Sequence, residues 1–349
     1  MSSSRVQLPI GVGVIGIGVR GQHSYEQVLR RHPDVRIVAV SSYPDVSPVL
    51  LEGKDEAYFR RYADNLGAVY CEDYRDILTR EDVQLISLMV EPSRAPEFVE
   101  EVAAVGKHIV RDKPMCTDVE GAERIVHAVE QAGVQMLLTL STRYYRSLRA
   151  ARQRVRSGEI GRLLVANFSF LQKGGPLAGF RGSRDYRDRF GGGEVTNFGF
   201  YAVDLLLWLV GSPVESVYAE MGTFFYDDYR EAGMEDLGQV MLRFADGTVG
   251  ALLTGRTTTP TGDYGWLDLT GTEGSLTVDH LMGDTLSVYG EQVHRQDILP
   301  SPVHEMVFDF VGTLKEGWPS PIGPKDGREV LRVLSAAYAS VERGQPCRL

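Results

Sequence analysis

Residues 10–21 read Ile-Gly-Val-Gly-Val-Ile-Gly-Ile-Gly-Val-Arg-Gly. The β-branched run Ile10–Ile17 predicts a strand, and the segment Gln22–Arg31, stopped by Pro33, predicts a helix. Between them lies Gly16-Ile17-Gly18-Val19-Arg20-Gly21, which matches GxGxxG. The pattern alone is weak, but a strand before it and a helix after it give it a physical meaning. Gly16 permits the tight turn, Gly18 lets backbone approach a pyrophosphate, and Gly21 allows the helix to pack closely. Free N–H groups at the helix start then face the phosphates. The competing reading is a strand-to-helix turn that holds nothing; the sequence context favours a dinucleotide.

The second strand, Val35–Val40, ends at Ser41-Ser42. An NAD site usually carries Asp or Glu at this position, ~20 residues beyond the glycines. Serine neither grips both ribose hydroxyls nor repels a 2′-phosphate, so NADP becomes admissible beside NAD, with a slight lean to NADP. Arg20 offers a cation for that phosphate, or is simply a solvated residue at the helix start. Asp45 lies three residues on and remains a second route to the ribose.

Outward from this unit, strands are predicted at Ala68–Tyr70, Leu85–Val90, His108–Arg111 and Gln135–Leu140, with helices at Tyr58–Leu66, Ala95–Val105 and Asp118–Ala132. Apolar strands alternating with helices indicate a doubly wound parallel sheet, an α/β Rossmann domain over residues 1–141. After Leu140 the rhythm changes. A helix at Arg146–Ser157 and a strand at Arg162–Leu171 precede a Gly- and Arg-rich loop and an apolar helix at Gly199–Val210. Strands follow at Val214–Met221, Leu237–Phe244, Val249–Arg256, Trp266–Gly271, Gly274–Asp279 and Leu286–Tyr289, then helices at Val303–Lys315 and Lys325–Arg343. Successive strands without helices between them predict a mostly antiparallel open sheet, an α+β domain over residues 142–349.

Composition narrows the function classes. With 349 residues, 43% hydrophobic and 24% charged, the chain can bury a core in each of two domains. A net charge of -10 argues against a nucleic-acid surface. No apolar run approaches the ~18 residues of a membrane span, and the start has no signal-peptide pattern. Cys71, Cys116 and Cys347 are far apart and odd in number, which fits reduced thiols in a cytoplasmic protein. The seven histidines are scattered, and CxxC, HExxH, GxxxxGK[ST] and GxSxG do not occur. Neither a metal site nor phosphoryl transfer nor serine hydrolysis has support.

A second motif, Gly106-Lys107-His108-Ile109-Val110-Arg111-Asp112-Lys113-Pro114, places an ammonium at the carboxyl end of the fifth predicted strand. Ligands of open α/β sheets bind at strand ends of this kind. Taken alone, the segment favours reading Lys113 as a surface lysine beside a turn proline. Together with GxGxxG, SGEIGRL (157–163) and GGGEVTNFGFYAVDLLLWL (191–209), in that order, the chain resembles the glucose–fructose oxidoreductase/inositol dehydrogenase (Gfo/Idh/MocA) family over nearly its whole length. The resemblance implies NAD or NADP as redox partner, sugar-like or related small hydroxyl or carbonyl substrates, and homodimers or homotetramers. By position it implies cofactor contacts from Gly16, Gly18, Val19, Arg20, Gly21, Ser41, Ser42, Pro92, Asp112 and Lys113. It also implies substrate contacts from Lys113, Arg143, Arg181, Asn197 and Tyr201.

Departures from the family pattern shape the expected chemistry. Asn197 stands where the family has Asp, and Tyr201 where it has His; Asp112 replaces Glu; Glu91-Pro92-Ser93-Arg94-Ala95-Pro96 keeps only the proline of its element. Alcohol oxidation needs a base for the hydroxyl proton. A phenol can serve if its pKa falls below the unperturbed ~10, as a nearby ammonium would make it do. Tyr201 is therefore the expected acid/base, Lys113 its electrostatic partner and substrate ligand, and Asn197 a neutral hydrogen-bonding group. The bland alternatives are a core aromatic for Tyr201 and a helix cap for Asn197. Two further readings stand beside the oxidoreductase: a dinucleotide-binding sensor or accessory protein that has lost catalysis, and a glycosidase-like enzyme that retains its NAD.

Overall fold

In the computed structural model, which describes residues 6–16, 26–44, 46, 55–175, 184–258, 264–279, 285–288, 291–295 and 301–349, the first strand β1 (Ile10–Ile15) is buried at all six positions. Only a strand covered on both faces has that pattern. The chain continues through α1 (Glu26–Arg31), β2 (Val35–Ser41), α2 (Glu56–Leu66), β3 (Val69–Tyr70), α3 (Tyr74–Thr79), β4 (Leu85–Leu88), α4 (Ala95–Ala104), β5 (His108–Arg111), α5 (Val119–Ala132) and β6 (Met136–Leu138). All six strands are parallel, in the order β3-β2-β1-β4-β5-β6. The order reverses between β1 and β4, the switch point where such sheets bind ligands. Local chemistry sets the helix ends: Asp118 accepts from the Gly121 N–H at 2.7 Å, and Gly133 closes α5 in the left-handed region.

The second unit begins at Leu140. It contains α6 (Arg146–Ser157), β7 (Leu163–Lys173), α7 (Arg184–Phe190), α8 (Glu194–Val210), β8 (Val214–Gly222), α9 (Asp227–Glu231), β9 (Leu237–Phe244), β10 (Val249–Thr257), β11 (Tyr264–Gly271), β12 (Ser275–Asp279), β13 (Thr285–Val288) and β14 (Glu291–Arg295). After α10 (Pro302–Glu316) and α11 (Pro324–Arg343), β15 (Cys347–Arg348) completes the sheet. The nine strands run β14-β13-β12-β11-β7-β10-β9-β8-β15, antiparallel except where β10 joins β7. On β9 buried and exposed residues alternate, so one sheet face is covered and the other open. The nearly all-apolar α8 lies on the covered face, with Phe198 against Phe170 of β7 at 5.3 Å between ring centres. Met241, Val249 and Tyr264 are exposed.

Three expectations change. Residues 303–328 pack with the first unit, so the second is not the continuous run 142–349. The reason is the open edge of β6: Leu138 donates to the Ile322 carbonyl at 3.0 Å, Ser320 donates to Gln135, and α10 buries Met306, Val307, Phe310 and Val311. The Gly- and Arg-rich segment holds a helix, α7, where a loop was expected. Helix α8 starts at Glu194 rather than Gly199, because an outside residue caps it, as described below. The short elements α3, α9, β14 and β15 had no periodic signal. Among the described residues no helix is long and apolar enough to cross a membrane.

Candidate active site

In the first unit the site residues lie at the carboxyl ends of the strands. Gly16, with φ of +77°, turns the chain off β1, and its N–H donates to the Ser41 carbonyl at 3.0 Å. A Cβ there would sit 2.5 Å from the Met89 carbonyl oxygen and 2.9 Å from the Tyr43 ring, so only glycine fits this turn. The turn crosses the ends of β2 and β4, the cradle a dinucleotide needs. Gly18, Val19, Arg20 and Gly21 lie outside the described residues, as do Asp45 and Arg181. Ser41 is fully buried and its hydroxyl donates to the Ser42 carbonyl at 2.9 Å, which leaves Ser42 as the half-buried member of the pair. Pro92 opens a 3-10 turn (Pro92–Arg94) directly after β4.

Lys113 is buried in the turn after β5. Its N–H donates to Asp112 Oδ1 at 2.8 Å, and the Thr139 hydroxyl donates to the same oxygen at 2.8 Å, so Asp112 shapes the turn that presents the lysine. Sequence reasoning missed Arg111, the neighbour that binds this turn to β4. Its fully buried guanidinium donates to the carbonyls of Val90 (2.6 Å), Pro114 (3.2 Å), Met115 (3.3 Å) and Leu88 (3.4 Å). Burial lowers its pKa to about 10, which still leaves it charged at neutral pH. The available signal was an arginine ending an otherwise apolar strand.

Glu26, the first residue of α1, is also buried and accepts from the Tyr62 hydroxyl at 2.7 Å. Burial raises its carboxyl from 4.5 to about 7. The native state therefore keeps a proton that the unfolded chain releases near pH 4.5. The resulting stability is complete below that pH and is lost as pH rises through about 7. Thermal melts from pH 5 to pH 8 should show the wild type losing about 3 kcal/mol relative to Glu26→Gln. Parallel pH profiles for the two proteins would refute this.

In the second unit the site is built on one face of α8. Glu194, Asn197, Tyr201 and Asp204 stand at i, i+3, i+7 and i+10, a single helical stripe. The helix start is capped by Glu235, whose carbonyl accepts the Glu194 N–H at 3.1 Å and whose Oε1 accepts the Val195 N–H at 3.0 Å. A Cβ on Gly193 would lie 2.2 Å from that carbonyl oxygen, which is why glycine precedes the helix. Burial pushes the Glu235 carboxyl up, and the Tyr338 hydroxyl donates to it at 2.7 Å. Asn197 is thus inside the first turn and is not the cap. Its Nδ2 donates to Glu194 Oε2 at 2.8 Å, while Glu194 Oε1 accepts from Arg256 Nε at 2.8 Å and from the Tyr229 hydroxyl.

Tyr201 is 8% exposed, its ring edge-on to Phe170 at 6.0 Å. Asp204 is fully buried and takes both Nε (2.8 Å) and Nη2 of Arg143, so the arginine expected to meet substrate is forked on a carboxylate of its own unit. Glu194, Arg256, Tyr229 and Glu235 were not foreseen. Only Glu194 lay in a quoted motif, and its partners come from β10, α9 and the approach to β9. Among the described residues no group of His, Cys, Asp and Glu is arranged to hold a metal.

A Rossmann unit with a glycine turn at its switch point, joined in sequence to an open-sheet unit with a polar helix stripe, defines a dinucleotide-binding α/β oxidoreductase architecture. Comparison with known proteins gives the family. Residues 10–140 match the oxidoreductase family with NAD-binding Rossmann fold, and residues 148–277 match the GFO/IDH/MocA C-terminal domain. The chain belongs to the Gfo/Idh/MocA family and is an NAD(P)-dependent oxidoreductase acting on CH–OH groups. It is 23% identical to the myo-inositol 2-dehydrogenase of Thermotoga maritima, over 97% of this chain and 98% of that enzyme. It is also 23% identical to the scyllo-inositol 2-dehydrogenase (NAD(+)) of Bacillus subtilis, over 96% and 95%. The crystal structure of scyllo-inositol dehydrogenase from Lactobacillus casei with bound NAD(H) and scyllo-inositol superposes with a TM-score of 0.80 at 19% identity, covering 97% of this chain and 98% of that one.

Proposed function

We propose that this oxidoreductase interconverts a secondary hydroxyl and a carbonyl on a sugar-like substrate, with Tyr201 exchanging the oxygen-bound proton. Lys113 serves as the cationic substrate ligand, and Asn197 as a neutral hydrogen-bonding group. The observation that carries the reading is the α8 stripe, where Asn197 is oriented by Glu194 one turn before Tyr201. The bound dinucleotide supplies the hydride acceptor or donor. Gly16, Ser42 and Pro92 would line its place at the strand ends, and Asp112 would hold the Lys113 turn beside it. A phenol O–H can donate its proton to a developing alkoxide, which supports carbonyl reduction as the favoured direction. The uncharged Ser41-Ser42 strand end supports NADP over NAD.

The test is turnover of a panel of polyols, sugars and keto-sugars with each of the four dinucleotides, followed by nicotinamide absorbance. Substrate-dependent oxidation or reduction of the dinucleotide is expected. Product without net cofactor change would replace this reading with the glycosidase-like one. Dinucleotide binding without any turnover would leave a binding protein.

A further inference from the structure

Arg94 ends the 3-10 turn after β4, yet its side chain reaches to the end of β2. Its Nη1 donates to the Pro44 carbonyl at 2.6 Å. The guanidinium lies 4.9 Å from the Phe98 ring centre and 5.9 Å from that of Tyr43, two rings that meet edge-on at 5.5 Å. Cation–π seating of this kind orients a planar cation as well as attracting it. The side chain is 23% exposed, so it is anchored while one edge still meets solvent. Glu97 Oε2 lies 3.4 Å from Nη2, a long contact to a half-exposed carboxylate that a doubly charged anion would outcompete.

The end of β2 is where a dinucleotide's adenosine ribose rests in this sheet type. At that end the described side chains are Ser41, Ser42, Tyr43 and Pro44, none of them a carboxylate, while Asp45, next in the chain, lies outside the described residues. A guanidinium carries five N–H donors; the Pro44 carbonyl takes one and Glu97 a second, long one. We propose that Arg94 selects the cofactor at the ribose 2′ position, receiving a 2′-phosphate on the exposed edge of its fork. The proposal rests on the dinucleotide reading above. It adds that the discriminating cation comes from the turn after β4, across the sheet from the strand end that usually decides.

The test is direct titration of NADP+ and NAD+ into the wild type, Arg94→Ala, Arg94→Gln and Arg94→Lys, by calorimetry, without substrate. The wild type should prefer NADP+, and the preference should shrink as salt rises, because the distinguishing contact is ionic. Arg94→Ala and Arg94→Gln should weaken NADP+ by about 10- to 100-fold and leave NAD+ within a few-fold. Arg94→Lys should recover part of the loss, keeping charge without the planar seating. Equal weakening of both cofactors, or a wild type that prefers NAD+, overturns the role assigned to Arg94. Binding of neither dinucleotide to the wild type overturns the cofactor reading itself, so the two failures are separable.

Discussion

Tyr201→Phe should lower kcat by about 10²- to 10⁴-fold, the usual share of one positioned acid/base group. The dinucleotide-induced rise in melting temperature should stay as in the wild type. The substitution removes one oxygen and keeps the ring, so its edge contact with Phe170 survives. A core aromatic whose hydroxyl is incidental would give the opposite result, full turnover with the melting point unchanged. Tyr201→His places on the same stripe the group that the resemblance implies for this position and should recover part of the rate, with a pH profile moved toward the imidazole range. Full activity in Tyr201→Phe would sink the assignment, and the proton would then have to be sought elsewhere on α8.

The second large effect belongs to Arg143 and Asp204. Removing one member of a buried, forked pair strands the other charge away from water, a loss of about 3–5 kcal/mol. Asp204 is fully buried and the arginine side chain is 10% exposed, so solvent does little to screen the pair. Arg143→Met and Asp204→Leu should each lower the melting midpoint by roughly 10 °C. The double variant should recover most of that, since an apolar pair of similar volume carries no desolvation cost. The coupling between the two substitutions is the quantity to measure, by a double-mutant cycle on melts of the wild type and all three variants. If Arg143→Met melts like the wild type but binds substrate more weakly, Arg143 is a substrate ligand as the resemblance implied.

The dinucleotide half was largely legible in the sequence. Buried parallel strands must be continuously apolar, and the strand-to-helix turn must be glycine, so β1, β5 and the Gly16 turn declare themselves locally. His108–Arg111 and Leu237–Phe244 agree with the expected strands to the residue. The α8 start was misjudged because its cap is Glu235, 40 residues away along the chain. No local pattern records such a partner.

The residues that steady the site were illegible for the same reason. Arg111 looks like the last residue of a strand until four carbonyls, from the end of β4 and from the turn after β5, converge on it. Arg256 and Glu194 are ordinary charged residues until 62 positions of chain fold away and neither has water. The sequence by itself determined the sheet order's raw material, the glycine turn and the chemistry-bearing types, because these depend on short-range periodicity and backbone sterics; the family resemblance rested on motifs occurring in one order. Tertiary structure alone decided that 303–328 returns to the first unit, that Arg143 is held by Asp204, and that Arg94 crosses to the end of β2. Each of those is a hydrogen bond or ion pair between distant segments, and its direction is set by which groups burial leaves without solvent.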